Sequence, residues 1–262
     1  MAIIRPSYQL RVAIIGCGPP NQEPMTYLGA KWTIRGLVSR KIQDLGREND
    51  FLIQPQLYWP AGRKNDYPLS GTYDAVIIPG SKLHIDKKGM KRHGWMNGLV
   101  DFIREVDYGV PVLGICFGHQ AIAAAHGAEI ERIPPPKHIE VGFSPVHMTE
   151  HAREDALFKG LPDTFEGLFS HFTYVASKPD NGTVLATGEM PDMIQAYRVG
   201  ESTWGVQFHP DYEGHNIDEL VEGRKQRLAR MLDISQINTI NKRRRDTQIL
   251  HNFIEHSVRR LD

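Results

Sequence analysis

Two side chains in this sequence are spaced to act as a nucleophile and its base. Cys116 lies in PVLGICFGHQ (residues 111–120), with Gly114 and Gly118 two positions to either side. The run 111–115 reads as a buried strand and AIAAAH (121–126) as a helix, with Gly127 as a left-handed cap. Cys116 then falls at a strand-to-helix turn, where small neighbours let a strained backbone push one side chain out over the end of a sheet. The helix that follows would aim its N-terminal N–H groups and positive dipole end at the sulfur. That favours thiolate and offers the N–H of Phe117 to a developing oxyanion. A buried structural cysteine between two packing glycines has the same spelling, so a base elsewhere in the chain has to decide. WGVQFHPD (204–211) supplies one, as a second apolar strand ending on His209.

The elements that would position these residues follow from the apolar pattern. LRVAIIGC (10–17) is apolar enough to be a strand buried on both faces. Gly16-Cys17-Gly18-Pro19-Pro20 lacks a third glycine, and its prolines remove N–H groups that a pyrophosphate would need, so it reads as a turn. A helix is expected over 31–45 and a second strand over 51–58, which together suggest a parallel βαβ unit. YDAVIIPGS (73–81) is a strand ending in Pro79-Gly80-Ser81, where Gly80 would let the backbone approach a ligand and offer a second oxyanion donor. Trp95, Met96, Leu99, Val100, Ile103 and Val106 mark a crossover helix into the Cys116 strand. The strand ends at Cys17, Gly80 and Cys116 would gather along one edge, where open α/β sheets place their sites.

After Gly127 come short strand-like pieces, AEIERI, IEVGFSPVHM, GTVLATG, MIQAYRV and TWGVQFH, some of them expected to be antiparallel. Two amphipathic helical patterns, 217–232 and 247–261, close the chain, with a basic run at 242–245 that reads as a solvated linker. The fold class expected is therefore α/β, an open and mostly parallel sheet with helices on both faces and added antiparallel strands.

Composition narrows the function classes. The 262 residues are 40% hydrophobic, enough to bury one large core, and 31 basic residues balance 31 acidic ones. No overall field draws the chain to nucleic acid or an anionic membrane. No apolar run reaches membrane-spanning length, and residues 1–10 carry no signal-peptide core. Cys17 and Cys116 are too few and too far apart for a disulfide framework, which points to a reducing, cytoplasmic setting. Twelve histidines show no paired metal-ligand spacing, so neither a metal nor a cofactor is expected. Cys17 reads as a small core residue.

These motifs carry a resemblance. GICFGHQ around Cys116, PGS at 79–81, EVGF at 140–143, SHFTYV at 170–175, IQAYR at 194–198 and GVQFHP at 205–210 occur in the order seen in class I glutamine amidotransferases. The chain looks most like the free-standing branch similar to the amidotransferase domain of GMP synthetase. The resemblance covers about 10–211, and the closing LHNFI at 250–254 resembles that branch's terminal helix. It implies a single flavodoxin-like domain over 1–262, with a helical extension over about 212–262. It also implies a Cys-His-acid triad of Cys116, His209 and Asp211, an oxyanion hole from Gly80 and Phe117, and substrate contacts from Gln120, Ser170, His171, Phe172 and Thr173. Three departures stand out. Asp211 replaces the usual glutamate and reaches about 1.5 Å less far, which leaves Glu213 as an alternative acid. Thr173 stands where many relatives carry an aspartate. The segments 22–70 and 211–246 are long for the family.

The leading expectation is a glutaminase that forms a glutamyl thioester and supplies ammonia to a separate synthetase or synthase, since no ATP-binding loop is spelled here. A γ-glutamyl peptidase or hydrolase with the same triad is the alternative, and Thr173 favours it. A third possibility is a non-catalytic binding protein with a degenerate triad.

Overall fold

The structure, a computed structural model, describes residues 8–21, 28–37, 43–46, 51–106, 109–135, 139–189, 193–211 and 248–261. The helix expected over 217–232, the basic run at 242–245 and Glu213 lie outside the described residues. The first βαβ unit is β1 (Tyr8–Ile15), α1 (Leu28–Leu37) and β2 (Phe51–Tyr58). Then come β3 (Ala75–Ile78), α2 (Lys87–Arg92), α3 (Trp95–Glu105), β4 (Val112–Ile115) and α4 (Phe117–Ala125). The later part runs β5 (Ile130–Arg132), β6 (Glu140–Met148), α5 (Glu150–Arg153), β7 (Thr164–His171), β8 (Thr173–Val175), β9 (Gly182–Thr187), β10 (Ile194–Val199), β11 (Thr203–Val206) and α6 (Gln248–Arg259).

The strands form one sheet in the order β2-β1-β3-β4-β11-β10-β9-β6-β7, with β8 joining β10 and β5. From β2 to β11 every pairing is parallel, and beyond β11 every pairing is antiparallel. This is the open α/β sheet with added antiparallel strands that the sequence leads one to expect. Helices cover both faces because alternate residues of a strand point to opposite sides. In β1, Val12 and Ile14 enter one core with Ala30 and Leu37 of α1 and Leu250, Phe253 and Ile254 of α6. Ala13 and Ile15 enter the other, with Met96 and Leu99 of α3 and Ala121 and Ile122 of α4. Among the described residues no helix is long and apolar enough to cross a membrane.

Several details differ from the sequence reading. The strand expected to end on His209 stops at Val206, so His209 stands three residues beyond it. The helix after Cys116 starts at Phe117, four residues before its apolar run, because its first turn is also packed inside the protein. β7 and β8 are strands that the pattern did not reveal. β7 is buried on both faces over its last five residues and largely open before that, so no alternation is spelled, and β8 is only three residues long.

Candidate active site

The elbow is built by close packing. A Cβ on Gly114 would lie 2.5 Å from the Gly118 carbonyl, and one on Gly118 would lie 1.9 Å from the Ile78 carbonyl oxygen, so both positions admit only glycine. This contact sets the start of α4 directly against the end of β3. Cys116 takes φ 52° and ψ −97°, a conformation a non-glycine residue holds only under constraint, at a cost of about 1–3 kcal/mol. The constraint is visible in the hydrogen bonds, since the Cys116 N–H donates to the Val206 carbonyl at 2.9 Å and its own carbonyl accepts from Gln120 N–H at 3.2 Å.

The register of β4 against β11 brings His209 to the Cys116 sulfur. Ile115 pairs with Val206, so one residue further along one strand lies Cys116, and three further along the other lies His209. The His209 N–H donates to the Leu168 carbonyl of β7 at 2.8 Å, which fixes the backbone where the ring leaves it. The ring is hydrogen-bonded to the Cys116 side chain. On its other side Nδ1 lies 3.2 Å from Asp211 Oδ1, and both side chains are essentially inaccessible to solvent. Burial resists charging of His209, but attraction to the Cys116 sulfur and hydrogen bonds to Asp211 and Cys116 outweigh it and raise its pKa to about 9. That direction favours a charged imidazole beside the sulfur, an arrangement suited to a thiolate nucleophile and to protonation of a departing amine.

Gly80 closes the arrangement from β3. A Cβ there would stand 2.7 Å from His209 Cε1 and 3.6 Å from Cys116 Cβ, so the bare backbone at residue 80 makes room for the imidazole. Ser81 holds this turn, its hydroxyl donating to the Cys17 carbonyl at 2.6 Å and accepting from Leu83 N–H at 3.0 Å. Phe117 opens α4, where N–H groups have no acceptor within their own helix. Cys17 is buried, with its thiol pushed well above the usual range by burial and pointed at the Ile15 carbonyl, so it is no rival nucleophile.

Cys116, Phe117, Gln120, Ser170, His171, Phe172 and Thr173 line one pocket, together with the 81–84 turn. The structure thus brings Cys116, Phe117 and the five residues expected to contact substrate to one pocket, whose lining does not include Gly80, His209 or Asp211. It also shows contacts that the sequence does not spell. The Gln120 amide is already engaged, donating to the Thr173 carbonyl at 2.6 Å and to Gln207 Oε1 at 2.8 Å, while its oxygen accepts from the Thr173 hydroxyl at 2.8 Å. His171 lies between the Thr173 carbonyl, 2.9 Å from Nδ1, and Glu140, 2.8 Å from Nε2. Gln195 donates to the same Glu140 oxygen at 3.1 Å. These bonds fix the wall carrying Ser170 and Phe172. Thr33 of α1, which no motif singled out, donates to Asp211 Oδ2 at 3.1 Å. Lys82 and His84 add basic side chains to the pocket lining. Among the described residues no group of three or more histidine, cysteine or acidic side chains is placed to hold a metal ion.

Comparison with known proteins identifies the family. The profile of the glutamine amidotransferase class-I family matches residues 53–221, which include Gly80, Cys116, Gln120, His209 and Asp211. The chain is 32% identical over 177 residues to the glutamine-hydrolyzing GMP synthase 1 of Bacteroides thetaiotaomicron, a match covering 67% of this chain but only 30% of that protein. It is 29% identical over 185 residues to a glutamine-hydrolyzing GMP synthase subunit from Ignicoccus hospitalis, covering 71% of this chain and 87% of that one. Among solved structures, a glutamine amidotransferase from Thermotoga maritima superposes with a TM-score of 0.69 at 21% identity, covering 95% of this chain and 98% of the other. At that identity the likeness speaks for the fold. With well over half of its length inside the family profile, this chain belongs to the class I glutamine amidotransferases.

Proposed function

We propose that the chain hydrolyses the side-chain amide of glutamine through Cys116, His209 and Asp211 and passes the ammonia to a synthetase or synthase on another chain. The observation that carries this reading is the meeting of a strained cysteine elbow with a buried imidazole backed by a carboxylate. The Cys116 thiolate attacks the amide carbon, and the carbonyl electrons move onto oxygen, where the N–H groups of Gly80 and Phe117 receive the charge. Collapse of the tetrahedral intermediate expels the amine as His209 gives it a proton, leaving a glutamyl thioester and neutral imidazole. His209 then takes a proton from water as the water attacks the thioester, and glutamate departs with the thiolate restored. Asp211 orients the ring throughout. The separate acceptor is supported by the Ignicoccus relative, a GMP synthase subunit of which this chain spans most of the length.

A second reading, hydrolysis of γ-glutamyl amines or peptides by the same residues, is favoured by one contact. Thr173 places a neutral hydroxyl against Gln120 at this part of the pocket, so no carboxylate from residue 173 is there to meet a substrate's α-ammonium group. Purified protein offered glutamine and, separately, a panel of γ-glutamyl peptides distinguishes the two. The first reading predicts glutamate and ammonia from glutamine, with Cys116→Ala inactive. Turnover confined to peptides supports the second. Turnover that survives Cys116→Ala contradicts both.

A further inference from the structure

We propose that Thr33 is a positioning residue for the base: its hydroxyl holds Asp211 in the rotamer that fixes the His209 ring. The inference rests on the roles given above to Cys116, His209 and Asp211.

The geometry is specific. Thr33 is wholly buried, and its Oγ1 donates to Asp211 Oδ2 at 3.1 Å, while Oδ1 of the same carboxylate lies 3.2 Å from His209 Nδ1. An ionised carboxylate only accepts hydrogen bonds, so the hydroxyl proton is committed to it. Asp211 comes from the turn that follows β11 rather than from within a strand or helix, and backbone alone fixes such a side chain poorly. α1, by contrast, is anchored in the core through Ala30 and Leu37 on either side of Thr33. With one oxygen held by that helix, rotation of the carboxylate away from Nδ1 breaks a buried hydrogen bond to a charged group. A threonine inside a helix more often turns its hydroxyl to a carbonyl of the preceding turn. This one reaches instead across 178 positions of sequence, to the acid behind the base.

The test is a double-mutant cycle of Thr33→Val with Asp211→Ala, with Thr33→Ser as the conservative rescue. Two readouts are taken: kcat and KM for glutamine hydrolysis, and the rate of Cys116 alkylation by iodoacetamide, which needs neither substrate turnover nor a partner. Thr33→Val is expected to lower kcat about 10-fold, less than Asp211→Ala does, with KM little changed, and to slow alkylation in the same order. Thr33→Ser is expected to recover most of the loss. In the Asp211→Ala background the Thr33→Val change is expected to have no further effect, because the group it positions is gone. Should the valine variant not fold, Thr33→Ala enters the same cycle without the risk of overpacking. A full-sized Thr33 effect in the Asp211→Ala background, or none in the wild type, overturns the inference while leaving the triad intact. If Asp211→Ala itself matches wild type in both readouts, the role given to Asp211 falls first.

Discussion

Gly80→Ala offers a demanding test, because one methyl group is asked to damage the chemistry while sparing the fold. Gly80 has no positive φ, so alanine fits its backbone, and the N–H assigned to the oxyanion is retained. What changes is space, since the added carbon would stand 2.7 Å from His209 Cε1 and 3.6 Å from Cys116 Cβ. Ordinary carbon–carbon contact begins near 3.4 Å, so the ring must retreat by about 0.7 Å. The retreat meets a carboxylate already in contact with Nδ1 at 3.2 Å, so the Cys116–His209 hydrogen bond yields. A displacement of that size costs about 10- to 100-fold in kcat, whereas overpacking one methyl costs about 1–3 kcal/mol of stability. Steady-state turnover, thermal melting and iodoacetamide labelling of Cys116 on the same preparation separate the two costs. Wild-type kcat and labelling rate in a folded Gly80→Ala protein would show that the imidazole does not depend on the bare backbone at residue 80. So would a variant that loses stability and activity strictly together.

Other predictions follow from the same contacts. Cys116→Gly and Cys116→Ala both remove the thiol and should be inactive, yet the glycine variant should be the more stable by about 1 kcal/mol because residue 116 sits at φ 52°, which glycine holds without strain. Denaturant midpoints at matched m-values check this, and equal midpoints would argue against a strained elbow. His209 is raised from 6.5 to about 9 in the folded chain, so it binds its proton more tightly there than in the unfolded chain. Its contribution to stability is therefore complete below pH 6.5 and is lost as pH rises through about 9. Turnover should fall through the same window as the proton for the departing amine disappears. Unfolding curves and kcat across that range test both, and Cys116→Ala should flatten the alkaline loss of stability, since sulfur is a principal cause of the raised value.

The parts of this site that could be read from sequence are those built by neighbours along the chain. The elbow depends on glycines within two residues of Cys116, and His209 follows the apolar run of β11 by three residues, so both announce themselves locally. The sheet edge could be inferred because buried parallel strands are spelled as continuous apolar runs. Thr33 could not be found this way: it is one small polar residue within a helix, and its meaning comes from a carboxylate 178 positions away. The state of Gln120 was equally hidden. The family resemblance implies a substrate contact for it, but only the fold shows Thr173 and Gln207 engaging its amide. Glu140 and His171 looked like separate polar residues because strand pairing, not sequence spacing, sets them opposite each other. Long-range pairing of buried polar groups is thus the information that local pattern lacks.

The proposed mechanism stands on Cys116 being the nucleophile that attacks a glutamyl side-chain amide. The direct measurement is covalent trapping with a glutamine analogue carrying an electrophile in place of its amide, followed by intact-mass analysis and peptide mapping. A single adduct on Cys116 is expected, slowed by glutamine or a γ-glutamyl peptide and strongly diminished in His209→Ala. An unlabelled protein, an adduct on Cys17, or labelling indifferent to both competitor and His209 would contradict it.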